Sequence, residues 1–370
     1  MKYYLIAGER SGDLHASNLM KALLDQDPNA EFRFFGGDYM QAVADTLVVH
    51  NRKLAFMGFW EVITNLNTIS KFIRQCKKDI ASYQPDAIIL VDYAGFNLKI
   101  AKYAKKAGFK VLFYISPKVW AWNQKRALKI KQRVDHMFAI LPFEVGFYKG
   151  FGWKDVTYVG SPVAEVVENH QVNKNFLAEH SLDSTEKIIA VLPGSRRQEL
   201  HHILPTIEQA ISDNPQLHFC VAAVKSLPSE LYDSVNNLAN TTLIFDETFD
   251  LLAHAHAAIV TSGTATLETA LWGVPQVVVY KANWFSYKVA KSLVKVKFIS
   301  LVNLIMDMEV IKELIQDDCT ASNISRELVM LVEDGIDYTT LREKLGDKIA
   351  SIETAKGVRK LSEPKITKTV

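Results

Sequence analysis

The first half of the chain alternates short apolar or aromatic runs with longer stretches whose apolar positions recur every three to four residues. The runs Tyr3–Ala7, Glu31–Phe35, Asp86–Val91, Lys110–Ile115, Met137–Leu141 and Thr157–Val159 predict strands. Leu14–Asp25, Glu61–Ser82, Leu98–Ala107 and Ala121–Val134 predict the helices between them. Strands separated by helices form parallel sheets, because a parallel return needs a crossover connection. The polar stretch from Glu165 to Lys187 carries no strand pattern. The alternation restarts with Ile188–Leu192, Leu217–Ala222, Thr242–Phe245, Ala257–Thr261 and Gln276–Val279. The expected fold is therefore α/β, with two Rossmann-like doubly wound domains, residues 1–164 and 165–340, facing a central cleft, and a last segment of residues 341–370. Met308–Thr354 reads as helical, and Lys365–Val370 as a frayed end.

Composition narrows the function. At 370 residues the chain exceeds what one growing core usually serves. Its 48% hydrophobic and 23% charged residues exclude a disordered or coiled-coil protein. With 43 Lys and Arg against 41 Asp and Glu, it lacks the basic excess of a nucleic-acid binder. Cys76, Cys220 and Cys319 are too scattered for a zinc site or a disulfide framework and suit a reducing, cytoplasmic setting. The N-terminal apolar run is too short for a secretory signal, and no run approaches the roughly eighteen apolar residues of a membrane helix. Leu54–Trp60 is apolar enough to need a cover, whether lipid, ligand or core.

In open parallel sheets ligands bind beyond the carboxyl ends of the strands, so the residues just after the strands are the informative ones. Gly8-Glu9-Arg10-Ser11-Gly12-Asp13 follows the first strand, and its glycines allow close backbone approach to a phosphate or sugar; a tight turn capped by Asp13 would give the same pattern. The spacing is neither the dinucleotide fingerprint nor a P-loop. Gly194-Ser195-Arg196-Arg197 places arginines at a helix start, where the dipole disfavours cations unless an anion lies between. Ser262-Gly263-Thr264 offers hydroxyls and backbone N–H groups to a diphosphate, with Glu268 one turn on and suited to ribose hydroxyls; an ordinary cap with a surface glutamate is the alternative. Asp92 ends a strongly apolar strand, as a general base or as a structural carboxylate of the following turn. Ser116–Arg126 combines aromatic and cationic groups. His254 and His256 lack metal-ligand spacing, and neither a metal nor a cofactor is expected.

Taken together, these motifs resemble the lipid-A-disaccharide synthases, a family of inverting glycosyltransferases. The likeness runs through Ala7–Asp13, Met57-Gly58 with Glu61-Val62, Asp92 with Phe96-Asn97, and Ser116-Pro117 with Val119-Trp120-Ala121-Trp122. It continues through Gln124-Lys125-Arg126, Leu141-Pro142-Phe143-Glu144, Leu192–Arg196, Ser262–Ala265 with Leu267-Glu268, and Asn303-Leu304. The resemblance implies a GT-B fold whose first domain binds the acceptor, whose second binds the nucleotide sugar, and whose last helix returns to the first. It implies transfer from UDP-2,3-diacylglucosamine to 2,3-diacylglucosamine 1-phosphate, releasing UDP, at the cytoplasmic face of the inner membrane. Asp92 then matches the general base and Arg196 a residue required for activity. Ser11, Gly12, Asp13, Gly194, Ser195, Ser262, Gly263, Thr264, Glu268 and Asn303 are the expected substrate contacts, and Phe56, Met57 and Trp60 a seat for acyl chains or the membrane. Many members carry a second aspartate where this chain has Gly95. A UDP-sugar 2-epimerase or another GT-B enzyme is the alternative reading, and a homodimer stays open.

Overall fold

The computed structural model describes residues 1–53, 66–183 and 185–363. Leu54–Trp60, with the expected contacts Phe56, Met57 and Trp60, lies outside the described residues, as do Glu61-Val62 and Lys365–Val370. The chain divides into two compact units, Met1–Pro162 with Asp347–Val370, and Val163–Gly346.

The first unit is built on seven parallel strands: β1 Lys2–Ala7, β2 Glu31–Gly36, β3 Leu47–His50, β4 Ala87–Val91, β5 Lys110–Tyr114, β6 His136–Ala139 and β7 Val156–Tyr158. Their order is β3-β2-β1-β4-β5-β6-β7. The order reverses between β1 and β4, which pair in register at Ala7 and Val91. Helices cover both faces. Tyr4, Ile6, Ile88 and Leu90 enter one core, while Tyr3, Leu5, Ile89 and Val91 enter the other. Burial on both faces is why these strands read as continuous apolar runs.

The second unit repeats the plan with β8 Ile188–Leu192, β9 His218–Ala223, β10 Thr241–Phe245, β11 Ala257–Thr261, β12 Gln276–Tyr280 and β13 Lys312–Ile315. The order β10-β9-β8-β11-β12-β13 reverses between β8 and β11, paired at Leu192 and Val260. These two reversals are the topological switch points, where the crossover helices leave toward opposite faces and open a crevice at the strands' carboxyl ends.

Three elements differ from the expectation. Residues 312–315, read as helical, form edge strand β13, with Tyr280 opposite Ile315. Lys, Glu and Leu favour helix locally, and the sheet overrides them. The expected helix Ala121–Val134 is broken into Val119–Trp122 and Arg126–Lys131. The short edge strand β3 had no predicted counterpart. The last helix, Ala350–Ser362, belongs to the first unit: Ala350, Ala355 and Val358 are buried in the cluster holding Tyr3, Leu5 and Leu19. The Arg359 guanidinium donates to the Gln26 carbonyl.

Candidate functional site

At the first switch point the chain leaves β4 through two consecutive left-handed residues, Asp92 at φ 45° and Tyr93 at φ 46°. Such angles are uncommon for non-glycine residues and cost most for a bulky one like tyrosine. The turn is pinned from within. The Asp92 N–H donates to the Tyr114 carbonyl at 3.1 Å. The buried Asn97 amide donates to the carbonyls of Val91 at 3.1 Å and Asp92 at 2.8 Å. From the β1 side, Gly8 closes over the turn; a Cβ there would stand 2.3 Å from the Tyr93 ring, so no side chain fits.

Burial pushes the Asp92 carboxyl up to about 6, and Glu9 adds to the shift, while Lys118 and the Tyr93 N–H oppose it. These groups follow the carboxyl ends of β1, β4 and β5, neighbours in the sheet. A carboxylate near neutrality at a strand end has the properties of a general base. Gly95, on the first turn of the helix Ala94–Lys106, is exposed and brings no second carboxylate.

Ser11, Gly12 and Asp13 lie in the first turns of the helix Arg10–Gln26. Ser11 is exposed, and Gly12 is buried against the sheet. Asp13 is buried too, and its carboxylate accepts from the N–H groups of Gly37 at 2.7 Å, Tyr39 at 3.0 Å and Met40 at 3.2 Å. The carboxylate expected to meet a substrate is thus spent on the turn after β2, leaving Ser11 as the reachable member of the three.

Behind the Ser116–Trp122 loop lies a buried polar cluster. Glu144 accepts from Trp120 Nε1 and from the N–H groups of Ile140 and Leu141, each at 3.1 Å. Ser116 Oγ lies 2.8 Å from the Tyr148 hydroxyl. Burial raises Glu144 to about 7 against these hydrogen bonds. The cluster fixes the loop that carries Lys118.

At the second switch point, Gly194 turns at φ 111° and Glu199 folds back onto that turn. Its Oε2 accepts from Ser195 N–H at 3.1 Å and Arg196 N–H at 3.2 Å, and its Oε1 pairs with Arg196 Nη1 at 2.8 Å. A Cβ on Gly194 would stand 2.6 Å from Glu199 Oε2, so the turn needs glycine twice over. The Arg196 side chain is nonetheless 73% exposed. The two backbone donors of this turn are therefore held by Glu199, and the guanidinium is the group left to reach an anion.

Beside it, Ser262-Gly263-Thr264 connects β11 to the helix Thr264–Leu271. Ser262 Oγ donates to the Ile299 carbonyl at 2.9 Å, tying this turn to the segment ahead of Ser300. Thr264 is exposed at the helix start. The Glu268 carboxylate, one turn on, has no hydrogen-bond partner among the described residues, and burial raises it to about 7. Glu268 is half-buried, and a partly desolvated carboxylate gains from a ligand that supplies donors.

Asn303 is wholly buried. Its Oδ1 accepts from Val310 and Ile311 N–H groups at 2.8 and 3.0 Å, and its Nδ2 donates to the Ile311 carbonyl at 2.8 Å and to Glu313 Oε1 at 2.9 Å. Glu313 also accepts from Ser300 Oγ at 2.7 Å and Ile299 N–H at 2.9 Å. A residue expected to touch a nucleotide thus braces the segment beside Ser262 instead. Sequence reasoning gave no role to Glu313 or Glu199 and named Asn97 only as part of a motif; an acidic or amide residue close behind a strand-end turn is the signal that could have assigned the last two.

Residues 3–363 match the family described as lipid-A-disaccharide synthetase. The chain is 39% identical over 349 residues to the lipid-A-disaccharide synthase of Trichlorobacter lovleyi, covering 92% of this chain and 90% of that protein. It is 38% identical over 357 residues to the synthase of Geobacter metallireducens, covering 92% of each. Among solved structures it resembles the glycotransferase of kitacinnamycin (TM-score 0.70, 13% identity, covering 98% of this chain and 99% of that one). It also resembles the UDP-GlcNAc 2-epimerase of Methanocaldococcus jannaschii in complex with UDP-GlcNAc and UDP (TM-score 0.68, 12% identity, covering 97% and 100%). At such identities the structural likeness is one of fold, the GT-B class.

Proposed function

As a member of the lipid-A-disaccharide synthase family the chain is a glycosyltransferase that forms the lipid A disaccharide, and we propose that its donor is UDP-2,3-diacylglucosamine and its acceptor 2,3-diacylglucosamine 1-phosphate. Asp92 takes the proton of the acceptor 6-hydroxyl as that oxygen attacks the anomeric carbon of the donor. The bond from that carbon to the diphosphate oxygen breaks, and UDP leaves with its electron pair. One displacement inverts the anomeric centre and gives the β-1,6 linkage.

The charge growing on the leaving diphosphate is met by the exposed Arg196 guanidinium, which can grip two oxygens at once, and by the Gly263-Thr264 turn at a helix start. Glu268 accepts from the ribose hydroxyls. With the Asp92 carboxyl pushed up to about 6, the base is ionised at neutral pH yet stronger than an ordinary aspartate. The observation that carries this reading is the occupation of the two switch points, a carboxylate at one and an arginine with a hydroxyl-lined turn at the other.

Among the described residues no helix is long and apolar enough to cross a membrane, so diacylated substrates would be met by a protein resting on the cytoplasmic face of the inner membrane. The test supplies both substrates to the purified protein and follows UDP release together with product mass. Disaccharide 1-phosphate formed in step with UDP supports the proposal. Turnover of a UDP-sugar without an acceptor would favour the epimerase reading.

A further inference from the structure

We propose that the segment from Trp284 to Lys297 in the second unit docks on an anionic lipid bilayer. The helix Trp284–Leu293 begins just beyond the carboxyl end of β12, the neighbour of β11. The segment after it runs to Ile299, whose carbonyl accepts from Ser262 Oγ. The surface therefore lies at the end of the sheet that carries the Ser262–Thr264 turn.

Trp284, Tyr287, Lys288 and Lys291 stand at i, i+3, i+4 and i+7, on one face of the helix. Lys288 Nζ lies 4.0 Å from the centroid of the Trp284 ring, and Lys291 Nζ lies 5.6 Å from that of Tyr287. Trp284 is 64% exposed, and beyond it Leu293 and Val294 are 52% and 39% exposed. Lys295 and Lys297 are exposed as well, and among the described residues Lys297 pairs with the solvent-facing Asp307, at 3.4 Å. No Asp or Glu occurs between Glu268 and Asp307.

Exposed indole and aliphatic groups among lysines, of which Lys297 alone pairs with an acid among the described residues, complement a surface of negative headgroups over hydrocarbon. Tryptophan and leucine enter the headgroup boundary, and the lysines stay at the phosphates. An acidic protein would satisfy the lysines but gives no reason for apolar groups at the sheet end where a lipid-linked sugar would arrive. That choice of a bilayer rests on the diacylated substrates proposed above.

The test floats the intact protein, without substrate, with phosphatidylcholine vesicles and with vesicles containing about a third phosphatidylglycerol. Binding to the anionic vesicles alone is expected, falling with salt. The pair Lys288→Glu and Lys291→Glu should lower the partition coefficient at least tenfold, and Trp284→Ser severalfold, with thermal unfolding and turnover on detergent-dispersed substrates unchanged. Failure of the wild type to float, equal binding to both vesicle types, undiminished binding of well-folded variants, or a change of oligomeric state in place of lipid binding would each overturn the proposal. Vesicle binding without disaccharide synthesis would overturn the assigned reaction and leave the docking surface standing.

Discussion

The side-chain amide of Asn97 donates to the carbonyl of Asp92 at 2.8 Å, holding in place the turn that presents the Asp92 carboxylate. The same nitrogen reaches Val91 at 3.1 Å, so one buried amide serves the end of β4 and the strained residue after it. Asn97→Ala leaves those carbonyls without their donor and should cost about 1–3 kcal/mol, read from urea denaturation. Turnover should fall at least tenfold while UDP affinity, which the proposed reading assigns to the second unit, stays put. Unchanged turnover in a destabilised variant would mean that the turn keeps its shape unaided.

Asp92→Asn separates catalysis from stability. Asparagine tolerates the left-handed angle but cannot take a proton, so turnover should drop at least about a hundredfold with UDP binding retained. The folded protein holds the Asp92 proton up to about 6, against an ordinary 3.8. Ionisation therefore costs stability progressively as pH rises through that window, and the full cost is present above it. The variant should melt a few degrees higher than wild type at pH 8 and at about the same temperature near pH 4. A lower melting temperature at pH 8 would show that the charge stabilises the fold.

If Asp92 is the base, the same carboxyl should set the acid limb of the rate. Dependence of kcat/KM on pH should rise toward a plateau with a midpoint near 6, as Asp92 loses its proton. Burial, the main cause, is untouched by exchanging neighbours, but Lys118 lowers and Glu9 raises the value. Lys118→Gln should move the midpoint upward and Glu9→Gln downward. Opposite or absent displacements in both variants would assign the limb to another group.

Much of this was legible in the chain, and the failures share a physical cause. Asp92 and the Ser262–Thr264 turn stand out because long apolar strands end abruptly at polar residues, and the strand–helix alternation gives two parallel sheets. What cannot be read is which partner a polar side chain chooses across a chain reversal. Asp13 serves residues 37–40, and Asn303 serves residues 310–313, so both motifs are recognisable while their direction is not. Strand β13 is hidden for a similar reason. Three of its four residues, Lys, Glu and Leu, carry no strand preference, and it is fixed by β12 and by Glu313 reaching residues 299–303.

Glu199 holds the donors an anion would use, which predicts the consequence of removing its charge. Glu199→Gln keeps an oxygen for the Ser195 and Arg196 N–H groups but ends the 2.8 Å ion pair with Arg196. With a negative charge gone beside the proposed diphosphate seat, UDP should bind roughly three- to tenfold more tightly by calorimetry. Arg196→Ala should instead weaken UDP and slow turnover at least about tenfold. If Glu199→Gln weakened UDP as much as Arg196→Ala, the glutamate would be a required brace for the arginine and not its competitor.

Glu268 offers the most selective test of the nucleotide seat. Its carboxyl, raised to about 7 by burial and without a protein hydrogen-bond partner among the described residues, gains most from a ligand that donates to it. In the proposed reading UDP does so through its ribose hydroxyls, and 2′-deoxy-UDP would do so less. Wild type should prefer UDP over the deoxy analogue by about 1–2 kcal/mol, a preference that Glu268→Ala should nearly abolish. Because the comparison is a double-mutant cycle, a general loosening of the helix Thr264–Leu271 would lower both affinities alike and leave the preference intact. A preference undiminished in the variant would place the ribose away from Glu268.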